Sequence, residues 1–268
     1  MDFGVARALA AATARSRAGL IATLPFLSLA ALAEEPTAPP ALSLSCEAPT
    51  ADIASPAPLP HLEADIAARR QIKVLAIGSS ASTKSFGAAP NYPAQFEAIL
   101  EKTFRGLDVV VVNRGVSGEV ASATAERLRT IIGLEKPDLL LWQVGTNDAL
   151  ARVPVDDFKT TVRDTLRWLK EHGIDTVLVG LRYASSVTKD EDYTAIRRAL
   201  REIAASENVP LVRRYEAMEY IERGKNGQLV SADEVNPSDL GYRCMAEHIV
   251  RAVVVSTFLK PKRPNQGR

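Results

Sequence analysis

The sequence predicts a three-layer α/β/α domain built on a doubly wound, five-stranded parallel sheet. Short apolar, β-branched runs alternate with amphipathic segments of helical period along most of the chain. Such runs are typical of strands that are buried on both faces of a parallel sheet. Because crossovers between successive parallel strands are right-handed and short, we expect the strand order 2-1-3-4-5.

Five strands and five helices are expected in alternation. The strands are predicted at residues 72–77, 107–113, 137–144, 175–181 and 209–214. The helices are predicted at residues 92–104, 120–132, 155–173, 190–208 and from about Ser238 to Thr257. Gly173 suits a helix C-cap, and Ser238 suits the N-cap of the last helix.

The first 33 residues predict a cleavable secretory signal peptide. A positively charged start precedes an apolar stretch that ends in the small-x-small pattern Ala31-Leu32-Ala33. A retained membrane anchor is the alternative, but the apolar stretch is short for a span and contains Pro25. We therefore expect a periplasmic or secreted protein without stable membrane insertion.

Three further segments follow the signal peptide. Residues 34–70 form a proline-rich arm, since 34–60 alone hold seven of the sixteen prolines. Residues 71–259 form the folded domain, and residues 260–268 form a basic tail that we expect to be disordered. With 46% hydrophobic residues and a net charge of +1, the chain suits a monomeric globular protein and not a nucleic-acid binder.

If the protein is exported, the two cysteines of the chain can form a disulfide. An oxidising compartment permits a disulfide between Cys46 in the arm and Cys244 in the last helix. Two free thiols remain the alternative.

Polar loops at one edge of the predicted sheet indicate a ligand site. The loops after the first three strands are GSSAST (78–83), NRGVSGE (113–119) and GTND (145–148). In doubly wound sheets, ligands bind at the carboxyl ends of the strands. A serine on a strand-to-helix turn, exposed backbone N–H groups and an Asn side chain are the parts of an oxyanion hole. No phosphate-cradling glycine pattern or Cys/His cluster appears, so we expect no cofactor or metal, and we disfavour a flavodoxin-like nucleotide binder.

These loops resemble the sequence blocks of the SGNH (GDSL-like) hydrolases, a group of serine esterases, lipases and acyl-carbohydrate deacetylases. The resemblance runs from about Ile72 to Val255 and implies Ser80 as the nucleophile, with its own N–H in the oxyanion hole. It also implies the Gly115 N–H and the Asn147 carboxamide as further oxyanion donors. Ser79 stands where the family usually has Asp, a minor change at a turn position. Ser79, Ser82 and Ser117 are less favoured nucleophiles.

The last block departs from the family at a position that matters. The family's Asp-x-x-His-Pro matches residues 233–237, so Asp233 stands at the orienting carboxylate and Asn236 replaces the catalytic histidine. A carboxamide cannot take the serine proton and return it to the leaving group. Loss of a triad histidine can lower turnover about 10⁶-fold.

Several groups remain as substitute bases. His172 is expected at the wrong edge of the sheet, and His248 lies roughly 15 Å from Asn236 along a helix. The place of His61, at the end of the arm, does not follow from the sequence. Asp148 and Asp233 are poor bases unless desolvation raises their pKa.

Two functions therefore stay open. The first is an exported esterase or deacylase that acts on a small-molecule or glycan ester through Ser80 with an atypical base. The alternative is an inactive protein of the same fold that binds an acylated glycan or another envelope ligand. Arg114 and Arg182 lie at strand ends, where an anionic or sugar substrate would meet them, although ordinary surface charge is the favoured account.

Overall fold

A mixed sheet of six strands organises the protein, in a computed structural model that describes residues 38–68, 71–78, 91–224 and 239–258. The strands are β1 (Ala54–Ser55), β2 (Ile72–Gly78), β3 (Val109–Asn113), β4 (Leu139–Gln143), β5 (Asp175–Val179) and β6 (Leu211–Val212). Their order is β1-β6-β5-β4-β2-β3, and all neighbours pair in parallel except β1 with β6. With β2 as the first predicted strand, the predicted order 2-1-3-4-5 is confirmed.

The sixth strand differs from the prediction and comes from the proline-rich arm. Ala54 pairs with Val212, and Ser55 pairs with Leu211, antiparallel to the edge strand β6. Two residues are too few to produce a period in the sequence. Pairing with β1 satisfies part of an edge whose N–H and C=O groups would otherwise lack partners.

Helices cover both faces of the sheet. They are α1 (Thr50–Ile53), α2 (Pro60–Ala67), α3 (Tyr92–Thr103), α4 (Ala121–Glu135), α5 (Thr146–Leu150), α6 (Val155–Glu171), α7 (Glu191–Glu207), α8 (Arg214–Arg223) and α9 (Asp239–Thr257). The predicted fifth strand is shorter than expected, because Arg214 already begins α8. None of the helices in the described ranges is both long enough and apolar enough to cross a bilayer.

Alternate residues of β4 pack into two separate hydrophobic cores, one on each face of the sheet. Leu140 and Trp142 of β4 face a core that includes residues of α4, α6 and α7. Leu139 and Leu141 face the other core, with residues of α2, α3 and α9. This alternation follows from the two-residue period of a strand. Because both faces are buried, the strands read as continuous apolar runs and could be predicted.

The described part of the arm packs against the domain at several points. Cys46 and Cys244 form a disulfide that joins the arm to α9. The Glu247 carboxylate accepts a hydrogen bond of 2.8 Å from the Ser43 N–H. Further along, Asp175 Oδ2 accepts a hydrogen bond of 2.9 Å from the Leu62 N–H in the first turn of α2. A carboxylate at a helix N-terminus is stabilising, so Asp175 holds α2 against the start of β5.

Candidate active site

The carboxyl ends of β2, β3 and β4 lie side by side, as the sequence predicts. Gly78 at the end of β2 pairs with Gln143 at the end of β4. The loop after β3 folds over this end, since the Val116 N–H donates to the Gly78 carbonyl at 2.9 Å. Three predicted site residues, Ser80, Asp233 and Asn236, lie outside the described residues.

Gly78 marks the point where the chain leaves the sheet toward the predicted nucleophile. Its φ is +106°, and a Cβ atom there would lie 1.9 Å from the Gln143 carbonyl oxygen. Only glycine tolerates both this backbone conformation and this close approach. The first block of the predicted motif therefore has a local structural reason for its glycine.

Gly115, the predicted second oxyanion donor, already has a partner. Its N–H donates to Oδ1 of Asn113 at 3.1 Å, which closes an Asx turn at the end of β3. The turn fixes the backbone at this point. A ligand oxygen must share or replace the Asn113 oxygen to bind this N–H group.

Asn147, the predicted third donor, is held by one of its two amide N–H groups. Nδ2 donates to the Glu119 carbonyl at 2.8 Å. A carboxamide nitrogen carries two N–H groups, so this bond orients the side chain and leaves a second donor. Asn147 lines a small concavity together with Gln143, Gly145 and Thr124. This geometry suits a donor to a ligand oxygen.

Asp148 positions the loop that carries Asn147. It is 1% exposed, and its carboxylate accepts hydrogen bonds from the Ala121 N–H at 2.8 Å and the Gly145 N–H at 3.2 Å. Burial raises the pKa of Asp148, and these backbone hydrogen bonds oppose the shift. Both oxygens are therefore engaged in tying the loop after β4 to the start of α4, which gives Asp148 a positioning role and not that of a base.

All three histidines of the chain lie away from this edge. His61 is in α2, beside Asp175 at the amino end of β5. Burial raises the pKa of Asp175, and the Leu62 N–H and the neighbouring His61 oppose this shift. His172 follows α6, and its Nδ1 hydrogen-bonds with the Trp168 carbonyl at 2.7 Å.

His248 is 1% exposed, and its Nε2 hydrogen-bonds with the Cys46 carbonyl at 2.7 Å. Burial lowers its pKa to about 4. The imidazole therefore helps to hold the arm on α9. With His61 and His172 placed elsewhere as well, no histidine is available at this edge as a substitute base.

Two arginines at the same edge have different surroundings. Arg114 forms an ion pair with Glu135 at 2.6 Å, which agrees with ordinary surface charge. Arg182 is tied to the site instead, because its backbone N–H donates to Thr146 Oγ1 at 3.0 Å. Two neighbours of Arg182 were not predicted: Tyr193, whose hydroxyl donates to the Arg182 carbonyl, and the buried Arg214. Nothing in their local sequence marks these residues.

Comparison with known proteins agrees with the geometry. An arylesterase of Vibrio mimicus is 27% identical over 118 residues, which cover 40% of this chain and 59% of that relative. The lipase/acylhydrolase of Enterococcus faecalis has a TM-score of 0.58 at 24% identity, covering 72% of this chain and all of that one. The acetyl xylan esterase AlAXEase has a TM-score of 0.53 at 18% identity, covering 68% of this chain and all of that one.

These structural likenesses show the same α/β/α fold. A family model described as the Non-GDSL lipase-like family matches residues 45–257. That range contains all six strands of the described sheet. This protein belongs to the Non-GDSL lipase-like family.

Proposed function

We propose that the protein is an exported serine ester hydrolase or deacylase that acts on a carboxylic ester through Ser80. The observation that carries the proposal is the Asn147 carboxamide, which is oriented by the Glu119 carbonyl and keeps a second N–H group at the carboxyl edge. A fixed donor of this kind stabilises the oxyanion of a tetrahedral intermediate. Family membership and the arylesterase relative support ester chemistry.

In the proposed reaction, Ser80 Oγ forms a bond to the ester carbonyl carbon, and the carbonyl oxygen becomes an oxyanion. The second N–H of Asn147, the Ser80 N–H and the Gly115 N–H donate to this oxyanion. The bond to the leaving oxygen then breaks, the serine proton ends on the released alcohol, and water hydrolyses the acyl-enzyme. Asp148 holds the loop on which Asn147 depends.

The base of this reaction is atypical. Since no histidine is available and the Asp148 oxygens bind backbone N–H groups, Asp233 is the carboxylate that we assign to the serine proton. A carboxylate of ordinary pKa is a weak base for a hydroxyl group, so we expect slow turnover. The rest of a serine site without its triad still gives about 10³–10⁴-fold acceleration over water.

The positions of the histidines also favour a second function. A site with oxyanion donors and no imidazole can bind an acylated glycan or another envelope ligand without hydrolysing it. This candidate keeps the same donors, Asn147 and Gly115, and differs only in the absence of turnover.

Hydrolysis of p-nitrophenyl acetate by the wild type and by three variants separates the two functions. For an esterase, we expect activity above buffer that disappears in Ser80→Ala and falls about 10²–10³-fold in Asn147→Ala. Full activity in Ser80→Ala would remove Ser80 as the nucleophile. A silent wild type together with an active Asn236→His variant would favour the binding function.

A further inference from the structure

Two arginines lie at the carboxyl ends of neighbouring strands, beside the candidate oxyanion loop. Arg182 follows β5 and is exposed, whereas Arg214 follows β6 and is only 5% exposed. Arginines are rarely buried to this extent unless their charge has a partner. The two residues place positive charge, one exposed and one buried, at the same edge of the sheet.

Hydrogen bonds tie the backbone of Arg182 to the loop that carries Asn147. The Arg182 N–H donates to Thr146 Oγ1 at 3.0 Å, and Thr146 is the residue before Asn147. The Tyr193 hydroxyl donates to the Arg182 carbonyl. The backbone of Arg182 is thus fixed relative to the oxyanion donor, which suits a role in positioning a substrate.

Buried tyrosines from three helices lie near enough to Arg214 to interact with its charge. They are Tyr92 of α3, Tyr193 of α7 and Tyr242 of α9, all less than 5% exposed. Helix α3 follows the segment that contains Ser80, and α9 follows the segment that contains Asp233 and Asn236. Arg214 therefore lies among the elements that carry or adjoin each part of the proposed site.

Both arginines contribute to a positive electrostatic potential at this edge. Burial lowers the pKa of Arg214 to about 10, and the nearby charge of Arg182 acts in the same direction. Arg214 nevertheless stays protonated at neutral pH. Positive potential at a site of this kind attracts an anion.

Arg182 has a guanidinium group to offer to such an anion. Within the ranges that the structure describes, no carboxylate forms an ion pair with Arg182, whereas Arg114, Arg152 and Arg167 all have acidic partners. The planar fork of a guanidinium matches carboxylate and phosphate oxygens. Arg182 is exposed and its backbone lies beside the loop that carries Asn147, so its guanidinium group is accessible to a ligand from solvent.

We propose that Arg182 and Arg214 recognise an anionic group of the substrate, a carboxylate or phosphate carried close to the ester. This inference rests on the proposed function for the ester and adds the substrate class. Arg182 binds the anion directly, and the buried charge of Arg214 supports it from the protein side.

A charge series of aryl acetates tests the inference. The substrates are 4-acetoxybenzoate, its neutral methyl ester and the cationic 4-acetoxy-N,N,N-trimethylanilinium, each corrected for its spontaneous hydrolysis. We expect kcat/KM to be at least about tenfold higher for the anion than for the neutral ester, and lowest for the cation. The preference falls as salt is added.

Arginine variants locate the effect. We expect Arg182→Gln to lower the ratio of kcat/KM for the anionic ester to kcat/KM for the neutral ester by about tenfold. This is the size expected for one charge-assisted hydrogen bond from an exposed side chain. Arg114→Gln is the matched control at the same edge and leaves the ratio unchanged. Arg214→Lys keeps the charge but loses the fork, and its melting temperature shows whether the buried site still folds.

A binding measurement keeps this inference separate from the proposed function. Calorimetry on the Ser80→Ala protein with benzoate and with phenyl phosphate reports anion binding without turnover and shows which oxyanion is preferred. Binding that is lost in Ser80→Ala/Arg182→Gln, with no ester hydrolysed by the wild type, supports the anion site and refutes the hydrolase. Equal rates for all three esters, unchanged by Arg182→Gln, overturn the anion site and leave the hydrolase in place. Absence of both binding and charge preference overturns the anion site as well.

Discussion

Replacing Gly78 by alanine perturbs the site at a single methyl group. Gly78 is the last residue of β2 and lies two positions before the predicted nucleophile. Its added Cβ atom meets a backbone carbonyl, that of Gln143, and not a flexible side chain. We therefore expect the strand end itself to move.

The cost has two parts. A Cβ atom at 1.9 Å must retreat to ordinary contact at 3.4 Å or more, so β2 and β4 must separate locally by about 1.5 Å. Such overpacking costs about 1–3 kcal/mol, and the positive φ costs about 1–2 kcal/mol for a residue with a Cβ atom. Together we expect about 2–5 kcal/mol, a large share of the stability of a typical domain.

Urea unfolding of Gly78→Ala measures this loss, with two glycine variants as controls. Gly118→Ala has positive φ but open space around its Cβ, so it reports the strain alone, about 1–2 kcal/mol. Gly133→Ala lies within α4 with open space and ordinary φ, and it stabilises by about 0.5–1 kcal/mol. A cost for Gly78→Ala no larger than that for Gly118→Ala would refute the close-approach argument. If the variant folds, we expect a loss of activity on the order of 10²-fold, as for a nucleophile displaced by about 1 Å.

Two further predictions concern the arm. The cysteines of the Cys46–Cys244 disulfide are 198 residues apart, so loop entropy predicts that its reduction lowers the free energy of unfolding by about 5 kcal/mol. Urea unfolding with and without dithiothreitol measures this loss, and the reduced protein should be as stable as the Cys46→Ala/Cys244→Ala variant. If the signal peptide is cleaved as predicted, the mature protein has the mass of a chain that starts at Glu34, less two hydrogens for the disulfide. For His248, the folded-state pKa of about 4 lies below its ordinary 6.5, so its contribution is complete above pH 6.5 and falls by about 3 kcal/mol as the pH drops toward 4. Unfolding curves at several pH values should show this fall in the wild type and not in His248→Gln.

The fold could be predicted where burial is two-sided and the element is long enough to show a period. Strands such as β4, with all five residues buried, read as apolar runs, and α3 repeats its buried Phe96 and Leu100 at helical spacing. The two-residue β1 gives no such pattern. Only Arg213 separates helix α8 from β6, which is itself two residues long. The sequence pattern therefore does not distinguish the end of the strand from the start of the helix.

The site could be predicted as far as single loops reveal it. Small and amide residues at successive strand ends predicted that these loops meet at one edge, and the strand pairing confirms it. The role of Asn147 stays a prediction. Apart from the Cys46–Cys244 disulfide, contacts between distant segments could not be predicted. Arg213 and Arg214 are adjacent and chemically identical, and only the folded chain shows that Arg214 is buried near tyrosines from three helices. The same limit left the place of His61 open until α2 was seen beside Asp175.

All three histidines lie away from the candidate site, and this bears on which esters the proposed reaction can cleave. A triad histidine supplies a base for serine and then a proton for the leaving oxygen. A carboxylate of ordinary pKa is a weak base for a hydroxyl group, so it is seldom protonated when the leaving oxygen departs. Aryl esters need the proton least, since a phenolate leaves without one, whereas an alkoxide does not. The proposed site is therefore suited to esters with good leaving groups. Rates on p-nitrophenyl and ethyl acetate that differ by less than their spontaneous reactivities would indicate a proton donor outside the residues that we have assigned.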